Sequence, residues 1–272
     1  MKHVHLSCLA AVLFLTACNN NAPKTSETKE PNIKEENITI DQGGTSMHCF
    51  VAYNENSDQK RPGILVVPEW WGMNDYVKMR ARKLAGLGYI AMTVDVYGNG
   101  TIADNPDSAG KFASVFYQNP QLAKDRLDAA IAKLKTYAQT DTSNLAAIGY
   151  CFGGGVVLNS ARLGENLKGV VSFHGNLIGT PANKDLLKSK ILVCHGMDDQ
   201  FVKKEDVELF KHQMDSIGAD YTFKEYPGAT HAFTNPDATA IGQKFKMPIA
   251  YNAAADSASW NDMKAFFDKI FK

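Results

Sequence analysis

The sequence of 272 residues has no excess of charge of either sign, since 29 Lys and Arg residues balance 29 Asp and Glu residues. This balance gives no reason to predict a nucleic-acid partner or another polyanion. The sequence also has no glycine-rich turn followed by Gly-Lys-Ser or Gly-Lys-Thr, which argues against a P-loop. Its length suits one α/β domain, because such folds often reach roughly 200–250 residues without splitting.

Long apolar runs are lacking too, apart from a short one near the amino terminus. Lys2 precedes an apolar run over residues 6–17, which is typical of a secretory signal and too short for a permanent transmembrane helix. The run ends in Leu15-Thr16-Ala17-Cys18, which resembles a bacterial lipobox. This resemblance implies cleavage before Cys18 and lipid on its sulfur, so residues 1–17 are predicted to be a lipoprotein signal peptide. An ordinary secretory signal with a coincidental cysteine is the alternative.

The segment after this signal lacks the apolar side chains that a core requires. Residues 18–37 are rich in Asn, Lys, Glu, Thr and Pro, and they are predicted to be a lipid-anchored flexible linker. We therefore expect an exported bacterial lipoprotein that is attached to a membrane through lipid on Cys18. Residues 38–272 are the predicted folded domain. Its oligomeric state stays open, with a monomer favoured.

Cysteine is scarce in the predicted mature protein. Of five cysteines, Cys8 leaves with the signal and Cys18 carries lipid, so Cys49, Cys151 and Cys194 remain. An odd number of thiols is not the pattern of a disulfide scaffold, although a bond between Cys49 and Cys194 stays open. No spacing of Cys, His and acidic residues indicates a metal site, and no cofactor is predicted.

The domain alternates short apolar runs with stretches of helical periodicity. This alternation predicts an α/β fold in which helices flank a doubly wound, mostly parallel sheet. An opening antiparallel hairpin is expected around Gln42-Gly43-Gly44. Strands are predicted at residues 38–41, 47–52, 63–68, 89–94, 145–149, 169–173, 190–194 and 221–226, and helices at residues 75–87, 120–137, 154–163, 204–217 and 257–271.

The most informative segment is Gly149-Tyr150-Cys151-Phe152-Gly153, between an apolar strand and a helix. It has the G-x-S-x-G spacing of a nucleophile elbow, with cysteine in place of serine. The glycines remove the Cβ atoms that would collide in so sharp a turn, and the helix amino terminus favours a thiolate. A phosphate-binding turn is the alternative for glycine-rich segments of this kind.

Two later segments supply a base and an acid for such a thiol. In parallel sheets, catalytic and ligand-binding residues lie beyond the carboxyl ends of the strands. The segments His195 to Val202 and Gly228 to Phe233 are expected at these ends. A cysteine nucleophile needs an imidazole base, and that base needs an orienting carboxylate. His231 is the candidate base, and Asp198 and Asp199 are the candidate acids.

These segments resemble the dienelactone hydrolase family of the α/β-hydrolase fold, over roughly residues 38–272. The resemblance implies a hydrolase that cleaves a small carboxylic ester or lactone through a cysteinyl acyl-enzyme, without metal or organic cofactor. The matching motifs are Pro68-Glu69-x-x-Gly72, Asp95-Val96-Tyr97-Gly98, Gly149-Tyr150-Cys151-Phe152-Gly153-Gly154, His195-Gly196-x-x-Asp199-x-x-Val202 and Gly228-Ala229-x-His231-Ala232-Phe233.

The resemblance also implies a role for each matching residue. Cys151 is the implied nucleophile, His231 the base and Asp199 the orienting acid, because the family's spacing selects Asp199 rather than Asp198. Glu69 matches a glutamate that holds the resting thiol in the family, although it could be an ordinary loop carboxylate.

Five further residues are expected around the reacting carbonyl. The backbone N–H groups of Trp70 and Phe152 are the expected oxyanion hole, one from the early strand-end loop and one after the nucleophile. The side chains of Trp71, Tyr97 and His174 are predicted to line the substrate pocket. Packing roles for the aromatic residues and a structural role for His174 are the alternatives.

One departure from the family concerns the substrate. Members that act on dienelactone bind its carboxylate with arginines, one of them four residues past the catalytic histidine, where this chain has Asn235. The lid-like stretch over residues 98–110 contains no arginine either. Since an amide does not replace a bidentate arginine, dienelactone itself is not predicted as the substrate. A non-catalytic ligand-binding lipoprotein is the alternative function.

Overall fold

The computed structural model describes residue 1, residues 30–56 and residues 58–272. Residues 31–272 make up the folded unit. The predicted signal peptide, the predicted lipidation site Cys18 and most of the predicted linker lie outside the described residues. Among the helices of the described ranges, none is both long and apolar enough to cross a bilayer.

Within the described residues, eight strands form one sheet in the spatial order β1-β2-β4-β3-β5-β6-β7-β8. The β1–β2 and β2–β4 pairs are antiparallel, and every other neighbouring pair is parallel. The strands are β1 (Ile33–Gln42), β2 (Thr45–Asn54), β3 (Arg61–Val67), β4 (Ile90–Thr93), β5 (Thr140–Tyr150), β6 (Gly169–Phe173), β7 (Lys190–Gly196) and β8 (Tyr221–Tyr226). The predicted mostly parallel sheet is therefore confirmed.

Helices cover both faces of this sheet, and each face has its own apolar core. The helices are α1 (Asp75–Gly86), α2 (Pro106–Gln118), α3 (Pro120–Leu134), α4 (Phe152–Arg162), α5 (Lys204–Ser216), α6 (Ala238–Phe245) and α7 (Ala253–Ile270). Helices α1 and α7 pack on one face, and α3, α4 and α5 pack on the other. Strand β3 contributes to both cores, because Ile64 and Val66 face one and Leu65 and Val67 face the other.

The amino-terminal boundary of the domain was predicted wrongly. Strand β1 begins at Ile33, inside the segment that the sequence assigned to a flexible linker, and it pairs with β2 without interruption up to Gln42. Its Glu36 carboxylate accepts hydrogen bonds from the hydroxyls of Tyr53 (2.8 Å) and Tyr137 (3.0 Å). A polar composition did not prevent strand formation here, because an edge strand leaves many side chains in water.

Two helices, α2 and α6, were not predicted. Helix α2 begins within the lid-like stretch over residues 98–110, and the sequence at its start carries local helix signals. The Asn105 side chain caps it by accepting from the Ser108 N–H (2.9 Å), and Pro106 occupies the first turn. Ala109 and Ala113 are buried at helical spacing. Helix α2 was missed because its short apolar stripe lies next to turn-forming residues.

The cysteine pairing that the sequence left open does not occur. Cys49, Cys151 and Cys194 are all free thiols. Cys49 is buried in the core on one face of the sheet, and Cys194 is buried in the core on the opposite face. The sheet therefore separates the two thiols.

Candidate active site

The turn between β5 and α4 places Cys151 at the amino terminus of a helix. Cys151 has φ +52° and ψ −116°, a conformation in which a side chain is strained. A Cβ atom on Gly149 would lie 2.0 Å from the Gly153 carbonyl oxygen, and one on Gly153 would lie 2.4 Å from the Val67 carbonyl oxygen. Both glycines are therefore required by the close approach of backbone segments, as the G-x-C-x-G spacing predicted.

The backbone of the turn is anchored to the neighbouring strand. The Cys151 N–H donates to both the Phe173 carbonyl oxygen (3.0 Å) and the Nδ1 atom of His174 (3.1 Å). The Cys151 side chain itself is half-buried and lines a cavity. The thiol is thus presented to the cavity from a rigid backbone.

His231 and Asp199 come from the loops after β8 and β7 and are joined by a hydrogen bond. The Nδ1 atom of His231 lies 2.8 Å from Oδ2 of Asp199. The other carboxylate oxygen of Asp199 accepts from the backbone N–H groups of Phe201 (2.8 Å) and Val202 (3.3 Å). Asp198, the rival acid in the sequence, is exposed. The geometry therefore selects Asp199 as the partner of the imidazole.

The charges near His231 favour its protonated form. Burial lowers the pKa of the imidazole, but the interactions with Cys151 and the hydrogen bond to Asp199 act in the opposite direction and outweigh burial. The net pKa of His231 therefore lies well above its ordinary value. A histidine whose pKa is raised in this way is suited to accept the proton of a neighbouring thiol.

Glu69 is a buried carboxylate at the edge of the same cavity. Its Oε2 atom accepts a hydrogen bond from the Asn235 side-chain amide (2.7 Å), and its Oε1 atom has no partner among the described residues. Burial is the main reason that the pKa of Glu69 is raised to about 7. The carboxyl can therefore gain or lose a proton near neutral pH.

The cavity beside Cys151 has a volume of about 450 Å³, within the range of small-molecule sites. Among the described residues that line it, Glu69 and Asp206 are acidic, and none is Lys or Arg. The cavity can therefore bind apolar groups, and it offers no Lys or Arg of the described residues to a substrate carboxylate. Its lining consists of Glu69, Trp70, Trp71, Gly110, Ala113, Tyr117, Cys151, Asn176, Ile178, Phe201, Val202, Asp206, His231, Ala232, Met247 and Ile249.

The two residues expected to form the oxyanion hole lie at the start of α4 and in the loop after β3. Phe152 is the first residue of α4, so its N–H has no acceptor within the helix. Trp70 follows β3, and its carbonyl oxygen accepts from the Tyr97 hydroxyl (2.9 Å), which steadies that loop. Trp71 lines the cavity as predicted, with its ring centroid 5.3 Å from that of Trp70.

Two residues predicted for the pocket lie outside its lining. Tyr97 packs beneath the loop that it anchors, with its ring against Phe152 at a centroid distance of 5.4 Å. His174 is only 1% exposed, because its ring is turned below the elbow, where Nδ1 accepts from Cys151 and Nε2 lies 2.7 Å from the Thr234 hydroxyl. Burial lowers the pKa of His174 well below its ordinary value, so this imidazole is neutral.

Sequence reasoning missed the buried polar residues that support the site. The Thr234 hydroxyl bridges His174 and the Tyr76 hydroxyl, which is 2.6 Å away. Asn235 was noted only as a departure from the family, whereas the structure pairs it with Glu69. Both residues follow the His231 motif within four positions, and that proximity was the signal available. Over the described ranges, no group of three or more His, Cys, Asp or Glu side chains could hold a metal ion.

Comparisons with known proteins extend over this whole site. The dienelactone hydrolase family model matches residues 47–271. Protein usf of Aquifex pyrophilus is 28% identical over 211 residues, covering 76% of this chain and 87% of that protein. A protein of Aquifex aeolicus named "Putative carboxymethylenebutenolidase" is 30% identical over 203 residues, covering 73% of this chain and 86% of that protein. The fold is similar to the crystal structure of a dienelactone hydrolase-like promiscuous phosphotriesterase from metagenomic libraries, with a TM-score of 0.82 and 31% identity. This similarity covers 88% of this chain and 98% of that protein.

Proposed function

This chain belongs to the dienelactone hydrolase family and has the α/β-hydrolase fold, and on this basis we propose that it hydrolyses a small, uncharged carboxylic ester or lactone through an acyl thioester on Cys151. The observation that carries the proposal is the placement of His231. Its imidazole is hydrogen-bonded to Asp199 and lines the same apolar cavity as Cys151.

The first half of the reaction forms the thioester. The Cys151 thiolate attacks the ester carbonyl carbon, so that a C–S bond forms and the carbonyl π electrons move to the oxygen. The backbone N–H groups of Trp70 and Phe152 stabilise this oxyanion. When the intermediate collapses, the C–O bond to the alcohol breaks, and the imidazolium of His231 gives its proton to the departing alkoxide.

The second half returns the enzyme to its starting state. Neutral His231 removes a proton from a water molecule, and the resulting hydroxide attacks the thioester carbonyl carbon. Collapse of the second intermediate breaks the C–S bond and releases the carboxylic acid. Asp199 keeps the imidazole in the required orientation and stabilises its positive charge in both halves.

We assign Glu69 the role of holding the thiol before substrate arrives. Glu69 lines the cavity that also contains Cys151, and its Oε1 atom has no partner among the described residues, so this oxygen is available to accept a hydrogen bond from the thiol. The raised pKa of about 7 keeps this carboxyl from being a fixed negative charge at neutral pH.

The charged side chains that line the cavity beside Cys151 favour an uncharged substrate. Asp206 and the ionised form of Glu69 would repel a substrate carboxylate, and no Lys or Arg of the described residues lines the cavity to bind it. The Asn235 amide is already engaged by Glu69. Dienelactone, which carries a carboxylate, is therefore a poor fit for this site.

A second candidate reaction is the hydrolysis of an uncharged phosphotriester. One structural neighbour is described as a promiscuous phosphotriesterase, and an apolar cavity without Lys or Arg among its described lining residues suits a neutral triester. Release of p-nitrophenol from diethyl p-nitrophenyl phosphate would measure this activity, and a rate equal to the buffer background would dismiss it.

The location of the protein is also a proposal. The lipobox-like segment that ends at Cys18 supports export and attachment to a membrane through lipid. The intact mass of protein extracted from a membrane fraction should include a diacylglyceryl group on Cys18, and an unmodified amino-terminal segment would contradict this location.

Pre-steady-state hydrolysis of p-nitrophenyl esters tests the mechanism directly. The protein should release a burst of p-nitrophenol while mass spectrometry detects an acyl group on Cys151, and both signals should vanish in Cys151→Ala. Turnover that survives this substitution would overturn the cysteine mechanism. Specific binding of uncharged ligands without any turnover would favour the non-catalytic alternative.

The neighbouring carboxylates provide a matched pair of variants. Asp199→Asn should lower kcat/KM by roughly 10³–10⁴-fold, because the amide favours the wrong tautomer of His231. Asp198→Asn should leave kcat/KM within about twofold, since surface substitutions away from the site have small effects. Equal losses in the two variants would show that Asp199 does not orient the base.

A further inference from the structure

Helix α2 forms one wall of the cavity with unusually small side chains. Gly110, Ala113 and Tyr117 all line the cavity, and their spacing of three and four residues places them on one face of the helix. This wall therefore presents almost no side-chain volume at Gly110 and Ala113, and it ends at the aromatic ring of Tyr117.

The structure of the helix does not require glycine at position 110. Gly110 lies inside α2 without a positive φ angle, and an added Cβ would meet no atom within 4 Å. Glycine in a helix interior is less stable than alanine, because it loses more backbone entropy on folding. The absent side chain thus leaves open space beside the cavity at a cost in helix stability.

The indole rings of Trp70 and Trp71 border the same cavity. The Trp71 ring stacks on Phe245 at a centroid distance of 5.9 Å, so it is held in place from behind. Ala109 of α2 packs in the same small apolar cluster as Trp71, so the helix meets the indoles beside Gly110. This part of the cavity is bounded by rings and by a bare helix face.

We propose that Gly110 sets the size of an apolar subsite that takes the bulky, uncharged substituent of the ester, with a ring preferred over a short alkyl group. This inference rests on the proposed function and extends it to the class of substrate. Aromatic walls favour a flat ring by stacking, and the lack of Lys and Arg in the described lining favours a ring without negative charge.

The experiment replaces Gly110 with a larger residue and compares two esters that contain a ring with ethyl acetate, a small ester that serves as the common reference. Rates for ethyl acetate, ethyl benzoate and phenyl acetate, followed by pH-stat, separate a ring on the acyl side from a ring on the alcohol side. Gly110→Leu should lower the kcat/KM ratio of the favoured ring ester to ethyl acetate by at least about tenfold, and Gly110→Ala should lower it less. Ratios unchanged within about twofold in both comparisons would overturn the subsite.

A matched control distinguishes the effect of filling the space at position 110 from the effect of a more stable helix. Gly86 lies at the exposed end of α1, where an added Cβ also meets no atom within 4 Å. Gly86→Ala and Gly110→Ala should both raise Tm, whereas only the second should change the substrate ratio. An equal change of ratio in both variants would attribute the effect to stability and contradict the subsite.

Binding gives a result that does not depend on turnover. The uncharged amide benzamide should change the tryptophan fluorescence of the protein, and Gly110→Leu should weaken its binding by about tenfold. If the wild-type protein hydrolyses no ester but shows this difference, the proposed reaction fails and the subsite stands. If esters are hydrolysed without dependence on position 110, only the subsite fails.

Discussion

Glu69 shows how the surroundings of one residue change its chemistry. In sequence it is a carboxylate after an apolar strand, where water would normally keep it ionised. In the structure it is 2% exposed, and the Asn235 amide is its hydrogen-bond partner. One hydrogen bond does not replace the lost hydration, so burial raises the pKa of Glu69 to about 7.

This raised pKa predicts a pH dependence of stability. Below pH 4.5 the carboxyl is protonated in both the folded and the unfolded chain, so its burial does not make the free energy of unfolding depend on pH there. Between pH 4.5 and about 7 the unfolded chain releases the proton and the folded chain retains it, so the free energy of unfolding falls as the pH rises. Glu69→Gln should therefore be more stable than wild type at pH 8, by roughly 3 kcal/mol, and equal to it near pH 4.

Urea unfolding at these two pH values checks the prediction. Glu208→Gln is a matched control, because its side chain is largely exposed on α5 and should change stability little at either pH. A Glu69→Gln variant that is no more stable than wild type at pH 8 would show that the carboxylate is well solvated or paired.

At the level of secondary-structure elements, a buried ion pair joins two helices that are far apart in the chain. Arg80 of α1 lies 2.7 Å from the Asp256 carboxylate of α7, and both helices cover the same face of the sheet. The Arg80 guanidinium also lies over the rings of Tyr76, Tyr150 and Trp260, at 5.2, 5.4 and 5.5 Å from their centroids. Arg80 is therefore surrounded by groups that compensate its charge.

Removal of the carboxylate should destabilise this packing strongly. Asp256→Ala leaves a buried cation without its anion, and we expect a loss of roughly 3–5 kcal/mol in the free energy of unfolding. The surface pair between Arg82 and Glu35 (2.7 Å) is a matched control on the same helix, and Glu35→Ala should cost about 0–1 kcal/mol. Chemical denaturation measures both, and similar losses would argue that Asp256 is effectively solvated.

For the molecule as a whole, the sheet divides the interior into two cores and places one inert thiol in each. Burial raises the pKa of Cys49 and of Cys194 to about 12, so neither forms a thiolate near neutral pH. Cys151, in contrast, lines the cavity at a helix amino terminus. The fold therefore leaves one of these three thiols at the cavity.

Alkylation of the folded protein should reveal this difference. Iodoacetamide at pH 7.5 should modify Cys151 and leave Cys49 and Cys194 unmodified, because the thiolate is the reacting species. In denaturant all three should react. Peptide mapping by mass spectrometry measures the sites, and modification of Cys49 or Cys194 in the folded protein at the rate of Cys151 would contradict the described burial.

Local patterns were sufficient to predict much of this architecture. Continuous apolar runs such as β3 identified buried parallel strands, and the spacing of Gly149, Cys151 and Gly153 identified the elbow, because these signals involve neighbours in the chain. The roles of Asp199 and His231 came from the resemblance to a family. The first five residues of β1 escaped prediction, since this polar part of the strand acquires its geometry only by pairing with β2.

The sequence alone was thus enough to define the sheet, the elbow and the set of polar side chains at the strand ends. Folding determined which of these side chains meet. The contact between Glu69 and Asn235 joins positions 166 residues apart, and the contact between His174 and Thr234 joins positions 60 residues apart. The space beside Gly110 likewise exists only once α2 packs near Trp71. Such contacts depend on the relative placement of distant elements, which the periodicity of a segment does not encode.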